Sequence, residues 1–141
     1  MSLASKLTRV ATGLHAALYR RVDSPKVRSV AGLPVLLLTV KGRRSGKEIM
    51  SPVCDIAVDG GYAVAGSANG ADGDPQWFRN LRAADGASVE VGNTTHRVRV
   101  RVLPKAEREA VWSRFLTEGT TFAGYEAKTD RTIPVAELIR V

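Results

Sequence analysis

Cysteine is almost missing from this 141-residue chain. Cys54 stands alone, so no disulfide can form within the chain. It sits in an apolar run and reads as buried filler rather than a nucleophile. Histidine is nearly as scarce. His15 and His96 lie far apart without ligand-like neighbours, and with one cysteine a zinc site is not expected. No apolar stretch approaches the ~20 residues of a membrane span. The N-terminus lacks a continuous apolar core with a small-residue cleavage site, so no secretory signal is expected and the setting should be cytoplasmic. No Gly-x-Ser-x-Gly elbow, Walker loop or Gly-x-Gly-x-x-Gly fingerprint is present. With no obvious acid–base or covalent catalyst, an enzyme of this sequence would rely on a bound cofactor for its chemistry.

Acidic residues are also few, and that scarcity is local. The chain has 21 Lys plus Arg against 14 Asp plus Glu, a net charge of +7. Residues 1–47 hold ten cations and a single anion, Asp23. A field of that sign attracts polyanions: nucleic acid, anionic lipid or a multiply charged small molecule. Within it, Leu3, Leu7, Val10, Leu14 and Leu18 fall on one helical stripe. Such a helix either covers an apolar face of its own domain or lies on the inner surface of a membrane. Residues 1–30 therefore read as an amphipathic helix and basic linker, and 31–141 as one domain.

From Gly32 onward the signals are mostly strands. Residues 33–40 form a nearly continuous apolar run, as in a strand buried on both faces. Residues 49–58 follow, with Pro52 pointing to a strand start, bulge or edge. Asp59-Gly60-Gly61 is a hairpin turn leading to residues 62–67. Asp74-Pro75 opens a short helix, with Asp74 as N-cap and Pro75 as first helical residue. Residues 88–91 and 95–102 flank a second hairpin turn. In the latter strand Val98, Val100 and Val102 face one way and Arg97, Arg99 and Arg101 the other. Pro104 starts an amphipathic helix that ends at Glu118-Gly119, and residues 133–141 read as a last strand. The sum is about six strands and two helices beyond the N-terminal one. Hairpin connections without βαβ alternation favour a small antiparallel barrel, an α+β fold with helical covers, over a Rossmann sheet.

Three segments could carry chemistry. Lys41-Gly-Arg-Arg-Ser-Gly-Lys47 packs four cations and two glycines into seven residues at the exit of the first long strand. Arginine forks match phosphate oxygens and glycines allow close backbone approach, although a solvated basic hairpin has the same composition. Residues 67–73 form a flexible loop entering a helix start, whose unpaired N–H groups favour an anion. Residues 74–80 add Trp77 and Phe78 beside Arg79 and Asn80. Core packing is the plain alternative for Trp77, and solvation for Asn80.

Taken together, three motifs carry a resemblance. They are Leu-Thr-Val-Lys-Gly-Arg-Arg-Ser-Gly-Lys (38–47), Ser-Ala-Asn-Gly-Ala-Asp-Gly-Asp-Pro-Gln-Trp-Phe-Arg-Asn-Leu (67–81) and Thr-Asp-Arg-Thr-Ile-Pro (129–134). In this order they resemble the deazaflavin-dependent nitroreductase family. These are coenzyme F420-dependent reductases with a split β-barrel, related to flavin-binding pyridoxamine-phosphate oxidase-like proteins. The resemblance spans about residues 30 to 137. It implies that Arg43, Arg44 and Ser45 hold the coenzyme phosphate. It implies that Ile49, Met50, Ser51, Pro52, Val53 and Cys54 line the ring, with Ala65, Gly66, Ser67 and Ala68 bordering ring and phosphate. Gln76, Trp77, Phe78, Arg79 and Asn80 would complete the tail site. Phe122 and Tyr125 would cover the substrate pocket, and Tyr125 or a backbone N–H near Ser67 would stabilise charge on the acceptor.

Two departures bear on specificity. Ala68 stands where relatives often have lysine, and Phe122 where a hydroxyl is often found. The implied reaction is hydride transfer from reduced F420 to a quinone, enone or nitroaromatic. The rival readings are an FMN-binding split-barrel oxidoreductase and a non-enzymatic nucleic-acid module using Arg97, Arg99 and Arg101. The latter strand lacks the interleaved aromatics that single-strand binders use, so no nucleic-acid partner is expected. Monomer and homodimer are both compatible with the sequence.

Overall fold

The computed structural model describes residues 29–30 and 32–141. The helix expected at 3–22 and its basic linker lie outside the described residues. Eight strands form one antiparallel sheet: β1 (Ser29–Val30), β2 (Leu33–Lys41), β3 (Glu48–Cys54), β4 (Ile56–Val58), β5 (Gly61–Ala65), β6 (Gly86–Val91), β7 (Thr94–Val102) and β8 (Val135–Arg140). Helices α1 (Gln76–Ala83), α2 (Lys105–Glu118) and α3 (Phe122–Ala127) cover it, and a 3-10 turn spans Ala68–Gly70. The architecture is the expected α+β split barrel. The strand count exceeds the expected six because β1 adds a two-residue pair to β2 and the stretch 49–58 breaks at Asp55. Helix α3 has no sequence counterpart above. It is six residues long and contains Gly124, too short and too weak in helix propensity to show a period.

The sheet order is β3-β2-β6-β7-β8-β5-β4. Its two end strands, β3 and β4, are consecutive in the chain and separated only by Asp55. The chain itself thus carries the sheet from one end to the other and curls it into a barrel. Closure by hydrogen bonds is incomplete. Strand β4 pairs with Gly61 to Ala63 of β5, while β3 pairs only with β2. The barrel is therefore split between the free edge of β3 and the end of β5. Pro52 sits in that edge strand, where its missing N–H costs least.

Apolar residues pack on both faces of the sheet, which explains the continuous run in β2. Leu36, Leu38 and Val40 join Val53, Val64, Val89, Val98 and Leu138 inside the barrel, plugged by Phe78 and Leu81 of α1. Leu33, Ile56, Ala63 and Ala65 join Trp112, Phe115 and Phe122 beneath α2 and α3. Fully burying each large apolar side chain contributes roughly 1.5–3 kcal/mol.

Asp55 is buried at the joint, 4% exposed, and its N–H donates to Pro34 O at 3.0 Å. Burial pushes its carboxyl up to about 7. A folded-state value raised above the unfolded one favours the neutral form. The stability linked to Asp55 is therefore complete below pH 4 and lost as pH rises through about 7. We expect Asp55→Asn to remove this slope. Relative to wild type the variant should gain stability between pH 4 and 8, on the order of 4 kcal/mol at most. Urea denaturation across that range checks the prediction, and parallel pH profiles would contradict it.

Candidate functional site

The split in the barrel opens into a cavity of about 280 Å³. Pro52, Val53 and Cys54 of β3 form one wall, and Ala65, Ser67, Ala68 and Asn69 the opposite one. Trp77 of α1 and Phe122 and Tyr125 of α3 complete it. Strand β3 pairs with β2 alone and lies at the sheet edge. Small side chains at Ala65, Ser67 and Ala68 leave the opposite wall flat. A flat cavity with backbone donors and acceptors along one rim suits a fused, planar heteroaromatic ring.

Helix α1 links this cavity to the basic turn. Trp77 lines the cavity, and Asn80 lies three residues on, about one helical turn away. Asn80 is 5% exposed, and its Oδ1 accepts from the Arg43 backbone N–H at 3.1 Å and from Arg43 Nη1 at 2.8 Å. The turn closes on itself. Gly42 N–H donates to Lys47 O at 2.8 Å, Gly46 N–H to Gly42 O at 2.9 Å, and Lys47 N–H to Ser45 Oγ at 3.2 Å. Gly46 adopts φ +71°, open to glycine at no steric cost. Arg44 and Lys47 are exposed and make no ion pair among the described residues. The segment is thus a pre-set hairpin anchored to α1, with cations left for an anion.

The expected site residues divide by placement. Pro52, Val53, Cys54, Ala65, Ser67, Ala68, Trp77, Phe122 and Tyr125 all line the one cavity. Arg43, Arg44 and Ser45 form the turn beyond it. Ile49, Met50 and Ser51 are half-buried along β3, outside the cavity wall, and Met50 packs on Leu37. Gln76 and Arg79 are exposed on α1. Phe78 requires correction: it is fully buried in the barrel core and offers no atom to a ligand. Gly66 is buried against it, and a Cβ at Gly66 would lie 2.9 Å from the Phe78 ring. Asn80 is buried behind the basic turn, with its oxygen engaged by Arg43.

Asp74 is not the N-cap either. Pro75 occupies that position, and its carbonyl accepts from Phe78 and Arg79 N–H. Asp74 instead pairs with Arg131 at 2.7 Å and Arg82 at 3.4 Å. Arg131 lies in the third motif but is not among the expected site residues. Besides Asp74, its partners are the backbone carbonyls of Gly66, Ser67 and Ala71, which no residue-type pattern reveals. Asn69, the neighbour of Ala68 in the second motif, also lines the cavity and has a left-handed backbone.

The remaining chemistry of the cavity is mild. Burial, and then the neighbouring Asp55 carboxylate, push the Cys54 thiol up to about 11. It stays protonated at neutral pH and is no nucleophile. The Tyr125 ring meets Phe122 edge-on at 5.4 Å, which orients the phenol at the cavity wall. The arginines of β7 are largely engaged: Arg101 with Glu107 and Glu137, Arg97 with Ser88 Oγ at 3.2 Å. No group of metal-ligating side chains occurs among the described residues, nor any helix long and apolar enough to cross a membrane.

Comparison with known proteins places the chain in a family. The model of the F420H(2)-dependent quinone reductase family matches residues 11–139. A Mycobacterium tuberculosis protein that carries the provisional name of F420H(2)-dependent quinone reductase is 33% identical over 103 residues, covering 73% of this chain and 87% of that protein. The solved structure of an F420-H2 dependent reductase, FDR-A, superposes with a TM-score of 0.68 at 33% identity, covering 74% of this chain and 93% of that one. A second solved structure, described as a domain-swapped dimer, gives a TM-score of 0.69 at 28% identity over 93% of this chain and 98% of that one.

The Asn80–Arg43 anchor is testable by a double-mutant cycle on F420 affinity. Arg43→Ala and Asn80→Ala should each weaken binding, and the double variant should lose less than their sum, with a coupling of about 1 kcal/mol. Strict additivity would mean that Asn80 does not act through Arg43.

Proposed function

Because the chain belongs to the F420H(2)-dependent quinone reductase family, we propose that it reduces quinones by hydride transfer from F420H2, with the coenzyme ring seated in the barrel split. Family membership implies the deazaflavin as coenzyme, and FMN is not needed. One observation carries the reading: nine of the expected site residues converge on a single flat cavity, one helical turn from a pre-set basic hairpin. When bound, the reduced coenzyme supplies a hydride.

The chain's own residues bind, orient and shield. Arg43, Arg44 and Ser45 hold the phosphate, and their exposure lets a multiply charged coenzyme be drawn in from solution. The β3 edge and the 65–68 segment grip the ring between them. Trp77 walls one end. Phe122 and Tyr125 of α3 lie over the cavity, so a planar acceptor stacks beneath them with water partly excluded. The Tyr125 hydroxyl donates to an acceptor oxygen as negative charge builds there. Solvent supplies the proton that completes the hydroquinone.

With Phe122 in place of a hydroxyl, Tyr125 alone supports a polar acceptor from α3. This favours quinones and enones over nitroaromatics. Contact of residues 3–22 with an anionic membrane surface would bring the cavity to lipid quinones, and vesicle flotation with and without anionic lipid tests that contact.

Mixing the protein with F420H2 and menadione tests the central reading. We expect coenzyme oxidation that depends on both protein and menadione. No rate above the protein-free control, across several quinones, would overturn it. Arg44→Ala should weaken coenzyme binding by about 1–3 kcal/mol, with a loss that shrinks as salt rises.

A further inference from the structure

Arg131 lies outside the cavity wall, yet its guanidinium brackets the segment that forms that wall. Four of its contacts are made to one loop. Nε donates to Ala71 O at 2.9 Å, Nη1 to Asp74 Oδ1 at 2.7 Å, and Nη2 to Gly66 O at 2.9 Å and Ser67 O at 3.1 Å. Between those carbonyls the backbone is unusual. Ala68, Asn69 and Gly70 adopt φ of +47°, +55° and +85°, three successive left-handed residues of which two carry a Cβ. L residues rarely hold that conformation without support from their surroundings.

The direction of the carbonyls has a consequence for the cavity. No cis peptide is present among the described residues. In a trans peptide the N–H points opposite to the C=O of the same plane. Since Gly66 O and Ser67 O face the guanidinium, the N–H groups of Ser67 and Ala68 face away from it. Neither N–H has a hydrogen-bond partner among the described residues, and both residues line the cavity. Ser67 is right-handed (φ −74°, ψ −33°) and Ala68 left-handed. That alternation gathers successive N–H groups into a concavity suited to an electron-rich oxygen.

We propose that Arg131 is a positioning residue of the coenzyme site. It holds the 66–71 turn in its left-handed form, so that the Ser67 and Ala68 N–H groups point into the cavity as a paired donor for an oxygen of the coenzyme. Asp74 fixes the guanidinium from the far side, with Arg82 as its second partner. Lysine at 131 would keep the charge but could not span Ala71, Asp74 and Gly66 at once, because its ammonium lacks the planar fork. The role rests on the coenzyme reading given above, but one of its consequences does not. In the coenzyme-free protein, the Gly70 and Ala71 N–H groups donate to Ser67 O at 2.9 Å and Ala68 O at 3.0 Å, and so report directly on closure of the turn.

The test compares wild type with Arg131→Lys, Asp74→Asn and Arg108→Lys. Arg108 serves as a control: it is a buried arginine, where Arg131 is half-buried, and it donates to Ile133 O at 2.9 Å and pairs with Glu109, with no hydrogen bond to the 66–71 turn. Amide hydrogen exchange on coenzyme-free protein should show Gly70 and Ala71 exchanging at least tenfold faster in Arg131→Lys, with β2, β6 and β7 amides unchanged. Fluorescence titration should show F420 binding at least tenfold weaker in Arg131→Lys, less so in Asp74→Asn, and unchanged in Arg108→Lys even where its Tm falls as far. If Arg131→Lys does not fold, Asp74→Asn carries both readouts in the same direction with smaller size. Unchanged exchange at Gly70 and Ala71, or a Kd that follows Tm across all three variants, overturns the proposal. Faster exchange at the turn in a protein that binds no F420 even as wild type would leave the positioning of the turn intact and sink the coenzyme reading instead.

Discussion

The structure depends on one joint. Asp55 is the only residue between β3 and β4, the two ends of the sheet, so the chain must bend there for the sheet to curl. The bend lets β4 cover the start of β5 while β3 stays on β2, and the end of β5 is left facing a free strand edge. A barrel with complete hydrogen bonding would have no strand edge to open a cleft beside. The split is therefore the condition for a site, and the polar residue at the joint is buried at a cost to keep it. Core packing on both faces of the sheet supplies the stability that tolerates this.

Around the split, the elements divide the work by rigidity. The strand edge and α1 are regular and fix Pro52 to Cys54 and Trp77. The basic hairpin is exposed but tied to α1 through the buried oxygen of Asn80. The 66–71 turn has the least regular backbone, and it is also the segment held by the largest number of bonds from one side chain. Binding surfaces placed on loops need such support if their donors are to meet a ligand already oriented.

Much of this was legible in the sequence. Strand β2 followed from its apolar run and the two faces of β7 from alternation, while Pro52 left β3 open as a strand start, a bulge or an edge until the sheet order placed it at the edge. Of the nine expected residues that line the cavity, only Ser67, Ala68 and Trp77 lie within the three motifs, while Pro52, Val53, Cys54, Ala65, Phe122 and Tyr125 were implied by the family resemblance and not by any residue pattern. What escaped had physical reasons. The break at Asp55 is a tertiary event inside a stretch with continuous strand propensity. Helix α3 is too short to show a period. Phe78 and Trp77 are adjacent aromatics on one helix, and only packing decides that Phe78 plugs the core while Trp77 reaches the cavity. Asp74 has the ideal chemistry for an N-cap, but the charge of Arg131, 57 residues away, competes successfully for its carboxylate.

The most direct measurement is a crystal structure of the protein with F420 bound. The account predicts the ring between the Pro52–Cys54 edge and the Ser67–Asn69 turn, with the phosphate in hydrogen-bond reach of Arg43 or Arg44. The molecule offers a clear alternative, a larger cavity of about 590 Å³ bordered by Lys105, Arg108 and the 129–134 segment. A ring found there, with the basic hairpin facing solvent, would contradict the account.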